Sequence, residues 1–123
     1  MERITIMLTL SYYPFELKFK YPFALASGTR DRTPVVYVEL DYEGLTGYGE
    51  AALPGYLPET QKSVIDFLAR LELRQFSNSF DTEKILDYIF SVAPKNLPAG
   101  RQEFSAMAAV DMALHDLAGK ILN

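Results

Sequence analysis

The hydrophobic pattern of this chain changes its period once, and that change constrains the fold more than any other feature. Up to Ala52, apolar and polar residues mostly alternate, which is the period-two pattern of half-buried strands. From Glu59 onward, apolar residues recur every three or four positions, which is typical of amphipathic helices. Strands followed by helices, rather than interleaved with them, predict an α+β fold. We expect a three-stranded antiparallel β-meander followed by a three-helix bundle.

The first predicted strand contains a break in its alternation. Its apolar residues fall on even positions up to Leu10 and on odd positions from Tyr13 onward. Because a one-residue slip turns every side chain to the other face of a sheet, this switch predicts a bulge near residues 11–13. Pro14 cannot donate a ladder hydrogen bond, so it predicts that this strand lies at an edge of the sheet.

The prolines and glycines divide the rest of the first half into loops and strands. Residues 21–34 are small and polar and are bounded by prolines, which predicts a long loop. Residues 35–42 and 45–51 are predicted to be the second and third strands, joined by a tight turn at Glu43-Gly44. A second Pro/Gly loop is predicted at residues 53–58.

Three helices are predicted in the second half. The first begins after Glu59, and its apolar stripe consists of Val64, Phe67, Leu68 and Leu71. The second follows Asp81, a residue type that favours the N-cap position. The third covers residues 102–122 and presents a broad face rich in alanine, which allows close packing against a neighbouring element.

Composition excludes several classes of function. A length of 123 residues fits one domain, and 12 Lys+Arg against 16 Asp+Glu give a net charge of −4, which argues against a broad nucleic-acid-binding surface. The lack of Cys excludes disulfides and a Cys nucleophile, and a single His excludes a multi-His zinc site. No apolar run reaches the roughly twenty residues of a membrane span, and the start lacks the features of a secretory signal. We expect a cytoplasmic protein with no nucleic-acid or membrane partner.

Three short motifs are candidates for chemistry. Residues 44–50 have the spacing G-x-x-G-x-G, the reverse of the dinucleotide fingerprint, and structural glycines in a hairpin explain them better. Asp111 and His115 are four residues apart on the last helix, and a helix pair explains them better than a metal site because no third ligand is close in sequence. Residues 27–32 offer hydroxyls and two guanidiniums, which suit forked binding of a carboxylate or phosphate. A solvated loop with an Arg–Asp pair is the alternative for this segment.

Several motifs, taken together and in order, resemble the N-terminal part of the enolase superfamily. They are Pro22-Phe23, a Ser/Gly/Thr loop, a Val-rich strand, the segment G-Y-G-E-A-A at 47–52 and the segment A-A-V-D-M-A-L-H-D-L at 108–117. The resemblance covers residues 8–123. Within the superfamily it is closest to the muconate-lactonizing-enzyme subgroup, and there to dipeptide epimerases of the L-Ala-D/L-Glu type.

This resemblance implies a cap that lies over a modified TIM barrel. Residues 1–100 would form the enolase-type N-terminal capping domain, and residues 101–123 its last helix, which leads toward the barrel. In such enzymes two mobile loops, here residues 24–33 and 53–58, close the active site and select the substrate. Three carboxylates of the barrel hold Mg²⁺, and two of its lysines exchange the α-proton of the substrate.

The site residues that the resemblance implies for this chain bind substrate and carry no catalysis and no metal. They are Ser27, Gly28, Thr29, Arg30, Arg32 and Tyr56. The implied partners are a small acidic dipeptide, whose side chain Arg30 or Arg32 would neutralise, and the protein's own C-terminal barrel. Tyr56 would close on the substrate from the second loop.

The chain departs from the family at Asn123, where the relatives continue into the barrel. Lys18 and Lys20 have the Lys-x-Lys spacing, but they lie on the first predicted strand and receive no catalytic role. We therefore expect an inactive fragment of an isomerase, with an apolar patch where the barrel belongs and self-association to cover that patch.

Two alternatives stay open at this stage. One is the cap of a muconate or chloromuconate cycloisomerase or of an o-succinylbenzoate synthase, since the residues that define the reaction lie in the barrel. The other is a free-standing binding or oligomerisation module, which predicts a folded chain without an exposed apolar underside.

Overall fold

The computed structural model describes residues 7–25, 28–54, 58–78, 80–93 and 103–123. Its elements in chain order are β1 (Thr9–Leu25), β2 (Gly28–Tyr42), β3 (Leu45–Ala52), α1 (Gln61–Ala69), one turn of 3-10 helix (Leu73–Phe76), α2 (Thr82–Val92) and α3 (Phe104–Leu122). These elements confirm the predicted α+β class, a three-stranded meander followed by three helices. Among the described residues, no helix is both long enough and apolar enough to cross a membrane.

The strands form one antiparallel sheet in the order β1-β2-β3. β1 is an edge strand of this described sheet, as Pro14 predicted. Its register runs without interruption from the pair Thr9 and Asp41 to the pair Lys18 and Arg32. The predicted bulge at residues 11–13 is therefore wrong. The irregularity lies further along, where residues 19–22 of β1 stand opposite Asp31 alone.

The change in apolar parity on β1 reflects a change of face and not of register. Paired residues share a face, so Leu10 and Leu40 lie on the inner, helix-covered face, whereas Tyr13 and Phe15 lie on the outer face. The side chains of Tyr13 and Phe15 are 51% and 54% exposed. Phe15 rests against Tyr37 of β2, with ring centroids 5.8 Å apart. Aromatic residues therefore continue the alternation on the solvent side of the sheet.

The predicted loop at residues 21–34 is also wrong. β1 continues to Leu25 and β2 begins at Gly28, and these two residues pair. β3 ends at Ala52, which pairs with Val35. Residues 18–25 and 28–33 thus form a two-stranded extension beyond the third strand, which we call the hairpin arm. These residues form strand because they pair with each other across the hairpin. A rule based on local composition does not detect such pairing.

The turn between β2 and β3 is the tight turn that the sequence predicted. Glu43 and Gly44 have φ values of 53° and 78°. Positive φ at both central positions is the requirement of a type I′ turn, whose twist matches that of a hairpin. Tyr42 and Leu45 pair directly across it.

Helices α3 and α1 pack on the inner face of the sheet, and α2 packs against α3. The helix caps are local. Thr60 and Ser63 form a reciprocal capping box at the start of α1, and Asp81 accepts a hydrogen bond from Lys84 N at 3.2 Å at the start of α2, as predicted. The core joins β2, the inner faces of α1 and α2, and the alanine-rich side of α3. Its members include Val36, Val38, Leu40, Phe67, Leu68, Ile85, Ile89, Ala109, Val110, Ala113, Leu114 and Leu117.

Candidate functional site

The two glycines of the G-Y-G-E segment bring β3 against α3. A Cβ placed at Gly47 would overlap the carbonyl oxygen of Ala113, and one placed at Gly49 would overlap that of Ala109. Because the helix backbone occupies this space, a side chain at either position cannot be accommodated without moving one element. Close helix–strand packing, and not a phosphate loop, accounts for this motif, as the reversed spacing predicted.

Asp116 of α3 binds the backbone at the edge of β3. Its Oδ2 accepts a hydrogen bond from Tyr48 N at 3.0 Å and another from Lys120 Nζ at 3.0 Å. Lys120 Nζ also donates to Thr46 O at 2.6 Å and lies 4.7 Å from the centroid of the Tyr48 ring. The hydrogen bond from Lys120 and then that from Tyr48 hold the pKa of Asp116 below its ordinary value. We call Asp116, Lys120 and their contacts on β3 the edge clasp.

Asp111 and His115 form the helix pair that their spacing predicted. His115 Nδ1 lies 2.9 Å from Asp111 O and 2.7 Å from Asp111 Oδ1. The hydrogen bond to the Asp111 carbonyl, and then the charge of its carboxylate, raise the pKa of His115 above 6.5. Within the described ranges, no group of three or more His, Cys, Asp or Glu residues could hold a metal ion. The residues present therefore do not fit a Mg²⁺ site within this part of the chain.

The hairpin arm and the loop after β3 leave the sheet at the same end. Leu53 N donates to Pro34 O at 3.0 Å, so the hydrogen bonds between β2 and β3 continue up to the residue at which the chain leaves the sheet. The side-chain amide of Gln61 donates to Phe15 O at 3.0 Å and to Val35 O at 3.1 Å, which ties the base of the arm to the start of α1. We call this part of the molecule the loop end.

The start of α3 is anchored at the loop end by a buried carboxylate. Both oxygens of Glu59 accept from Ser105 N, at 3.0 and 3.1 Å, and Glu59 is almost fully buried. An anion at a helix N-terminus satisfies free N–H groups and complements the helix dipole. No local sequence pattern marks this contact, because the two residues are 46 positions apart.

The structure places the predicted substrate residues on one strand or outside the described residues. Gly28, Thr29 and Arg30 belong to β2 in the hairpin arm, and their backbones pair with Leu25, Ala24 and Phe23. Ser27 and Tyr56 lie outside the described residues.

Arg32 is exposed on the arm and contacts two carboxylates. Its Nη1 lies 3.4 Å from Glu16 Oε2, and its Nε lies 3.3 Å from Asp31 Oδ1. The hydrogen bond and charge of Asp31, followed by those of Glu16, raise the pKa of Arg32, so its guanidinium stays charged. Arg32 therefore presents a permanent positive charge at the loop end. Its contact with Asp31 is the Arg–Asp pair that the alternative interpretation of this segment predicted.

Comparison with known proteins agrees with this architecture. Residues 8–123 match the family model described as mandelate racemase / muconate lactonizing enzyme, N-terminal domain. An L-Ala-D/L-Glu epimerase from Bacteroides thetaiotaomicron is 48% identical over 115 residues, which are 94% of this chain and 28% of that protein. The chain thus spans less than a third of the length of this relative.

Two solved structures share the fold. One is a dipeptide epimerase from Enterococcus faecalis V583, complexed with Mg and the dipeptide L-Leu-L-Tyr. It is 26% identical, with a TM-score of 0.68 over 97% of this chain and 32% of that one. The other is the substrate-liganded L-Ala-D/L-Glu epimerase from Bacillus subtilis, 23% identical, with a TM-score of 0.73 over 94% of this chain and 32% of that one. At that identity the second likeness shows the fold alone. The chain belongs to the mandelate racemase / muconate lactonizing enzyme family, of which it has the N-terminal, enolase-type capping domain.

Proposed function

We propose that this chain is the substrate-selecting cap of a Mg²⁺-dependent dipeptide epimerase, an isomerase that moves the α-proton of L-Ala-D/L-Glu-like dipeptides. The observation that carries this proposal is the 48% identity over 115 residues to a protein of that activity. Residues 1–100 form the cap proper in this proposal, and residues 101–123 lead toward a C-terminal barrel. The cytoplasm is the compartment in which we expect the enzyme to act.

In this proposal the barrel performs the chemistry and the cap binds the substrate. Among the described residues no cluster fits a metal ion. On the family resemblance, we assign the Mg²⁺ ligands and the basic lysines to the proposed barrel. Mg²⁺ held there would supply positive charge that favours loss of the α-proton from a carboxylate substrate. The cap binds and orients the dipeptide, and the 123-residue chain is inactive by itself.

Recognition of the acidic side chain is assigned to the hairpin arm. Ser27, Gly28, Thr29 and Arg30 lie at or beside its tip in sequence, and Arg32 adds a permanent cation. The present partners of Arg32 are exposed carboxylates, and exposed ion pairs contribute only about 0–1 kcal/mol. A substrate carboxylate can therefore replace them at little cost. Tyr56, in the loop that leaves from the same end, would close over the dipeptide.

The test is a substrate screen on the polypeptide made from the complete reading frame. Proton exchange at the α-carbon is followed by NMR in D₂O for L-Ala-L-Glu, for neutral dipeptides and for cycloisomerase and o-succinylbenzoate synthase substrates. We expect exchange with L-Ala-L-Glu in the presence of Mg²⁺ and loss of exchange when EDTA is added. Turnover of a lactone or of an o-succinylbenzoate precursor without dipeptide exchange would replace the proposal by the alternative reaction.

A further inference from the structure

The last row of the sheet in which all three strands pair lies at the root of the hairpin arm. In this row Phe15 of β1 pairs with Val35 of β2, and Val35 pairs with Ala52, the last residue of β3. Beyond this row the arm continues as two strands alone. A two-stranded hairpin is only marginally stable in water, so the contacts at its root determine how the arm is oriented relative to the rest of the cap.

The side-chain amide of Gln61 binds both strands of the arm in this row. Its nitrogen donates to Phe15 O at 3.0 Å and to Val35 O at 3.1 Å. Because both partners are carbonyl oxygens, only the amide nitrogen can face them, and its two N–H groups are both used. Phe15 and Val35 each follow a proline, which has no N–H to donate. Gln61 therefore adds two hydrogen-bond donors at a row whose preceding residues have none.

Gln61 lies on a part of the chain that is itself held in place. It is the first residue of α1, directly after the capping box in which Thr60 N donates to Ser63 Oγ at 2.9 Å and Ser63 N donates to Thr60 Oγ1 at 3.1 Å. Glu59, two residues before Gln61, is buried and accepts from Ser105 N of α3. The start of α1 is thus fixed to α3, and the Gln61 amide connects the arm to this fixed point.

We propose that Gln61 is a positioning residue that sets the orientation of the hairpin arm and thereby the preference for an acidic dipeptide. This rests on the proposed function, which assigns Arg32 of the arm to the acidic side chain of the substrate. Arg32 lies three residues beyond Val35, about 10 Å along the strand, so a tilt of about 10° at the root would move it by about 2 Å. A displacement of about 1 Å in a positioned group can lower a rate by about 100-fold.

Gln61→Met tests this role in the polypeptide made from the complete reading frame. Methionine matches glutamine in chain length and in helix propensity but has no N–H group. We expect kcat/KM for L-Ala-L-Glu to fall about tenfold through a higher KM, because the arm binds substrate and transition state alike. With a neutral dipeptide, kcat/KM should change by less than about threefold. An equal loss with both dipeptides, or no loss with either, would overturn the proposal.

Gln75→Met is the matched control, because it makes the same substitution at an exposed glutamine. The amide of Gln75 donates to the Glu72 carbonyl of its own turn and connects no other element through that hydrogen bond. We expect this variant to keep the KM of the parent enzyme with both dipeptides. A KM for L-Ala-L-Glu that rises as much in Gln75→Met as in Gln61→Met would also overturn the proposal.

Trypsin cleavage measures how firmly the arm is held, without any substrate. The arm contains four cleavage sites, which are Lys18, Lys20, Arg30 and Arg32. Lys84 of α2 is an internal reference for global unfolding. In Gln61→Met we expect cleavage in the arm to be about threefold faster or more and cleavage at Lys84 to be unchanged, because only the arm opens locally. Unchanged cleavage in the arm, or equal acceleration at Lys84, would overturn the proposal.

The two readouts separate this proposal from the proposed function. If the parent polypeptide does not exchange the α-proton of L-Ala-L-Glu, the proposed function fails. Faster cleavage of the arm in Gln61→Met would then still support its role in orienting the arm, and unchanged cleavage would reject it. An active epimerase whose Gln61→Met variant keeps the full preference for the acidic dipeptide would retain the proposed function and reject the role of Gln61.

Discussion

At the scale of single residues, Gly49 lies where strand β3 and helix α3 approach most closely. A Cβ there would overlap the carbonyl oxygen of Ala109, which is helix backbone and cannot rotate away as a side chain would. Gly119 is a useful contrast, because a Cβ there would meet no described atom within 4 Å. Position 49 therefore has no room for a side chain, whereas position 119 does.

Replacing each glycine by alanine should therefore change stability in opposite directions. Gly49→Ala is expected to lower the free energy of unfolding by about 3 kcal/mol, because the helix must move away from the strand. Gly119→Ala is expected to raise it by about 0.5–1 kcal/mol, because alanine is the better helix former. Urea denaturation of the two variants checks both values. A neutral Gly49→Ala would contradict the packing role of this motif.

Arg32 is the exposed residue on which the substrate proposal depends most. In the complete enzyme we expect Arg32→Ala to lower kcat/KM for L-Ala-L-Glu by about 10- to 100-fold, the range of a lost charge-assisted hydrogen bond. The rate with a neutral dipeptide should change little, since that substrate offers no second carboxylate. Lys62→Ala is the matched control, because Lys62 is exposed and its ion pair is with Asp66 of its own helix.

The same measurement on Arg30→Ala completes this test. Arg30 lies two residues from Arg32 on β2, and the resemblance assigns the acidic side chain to one or the other. At least one variant must lose activity selectively with the acidic dipeptide. Unchanged kcat/KM in both would remove the hairpin arm from substrate recognition.

Residue roles could be predicted where the partner is close in sequence. Asp81 caps α2 through Lys84, and Asp111 pairs with His115, both within one helical turn. Glu59, by contrast, reaches Ser105, and Asp116 reaches Tyr48, 46 and 68 residues away. No local pattern distinguishes these two carboxylates from solvated ones. Their roles depend on how elements pack, which a single sequence does not show.

At the scale of elements, the hairpin arm shows why the loop prediction was wrong. Residues 28–33 have no alternation of their own, and they form strand because residues 18–25 pair with them. The bulge predicted from the change of apolar parity on β1 was wrong for a related reason. Alternation reports which face is apolar, and it indicates a bulge only if both apolar stretches must face the core. The exposed Tyr13 and Phe15 do not meet that condition.

The edge clasp makes the attachment of α3 to β3 dependent on pH. A carboxyl whose pKa is lower in the folded state stabilises the fold above its unfolded pKa of about 4, and this is lost as the pH falls through the folded pKa. The pKa of Asp116 is lowered in this way by Lys120 and Tyr48. Asp116→Asn should therefore be less stable than the parent chain at pH 7, and the difference should narrow below about pH 4.

Urea midpoints of the 123-residue chain at pH 7 and pH 3 check this expectation. Asp66→Asn is the control, because the Lys62–Asp66 pair is more exposed and connects no other element. It should change the midpoint only slightly at either pH. A difference between Asp116→Asn and the parent chain that is the same at pH 7 and pH 3 would show that the clasp does not depend on the charge of Asp116.

At the scale of the whole molecule, the elements to which we assign substrate recognition lie at one end of the sheet. The hairpin arm and the loop after β3 leave from one end of the sheet, whereas the Glu43-Gly44 turn lies at the other end. α3 runs antiparallel to β3, since Gly47 meets Ala113 and Leu117 while Gly49 meets Ala109. The start of α3 therefore lies near the loop end, where Glu59 binds Ser105 N.

This arrangement predicts that the cap can be exchanged between relatives as a unit. Residues 8–123 of this chain, fused to the remaining part of the Bacteroides thetaiotaomicron epimerase, should give a folded enzyme that epimerises L-Ala-L-Glu. The two proteins are 48% identical over 115 residues, and homologous cores of this kind tolerate apolar exchange when volume is kept. We expect kcat/KM within about tenfold of the relative, since we assign the proton transfer to the part of the relative that the chimera keeps. A folded, protease-resistant chimera without activity would show that the cap of this chain serves a different substrate.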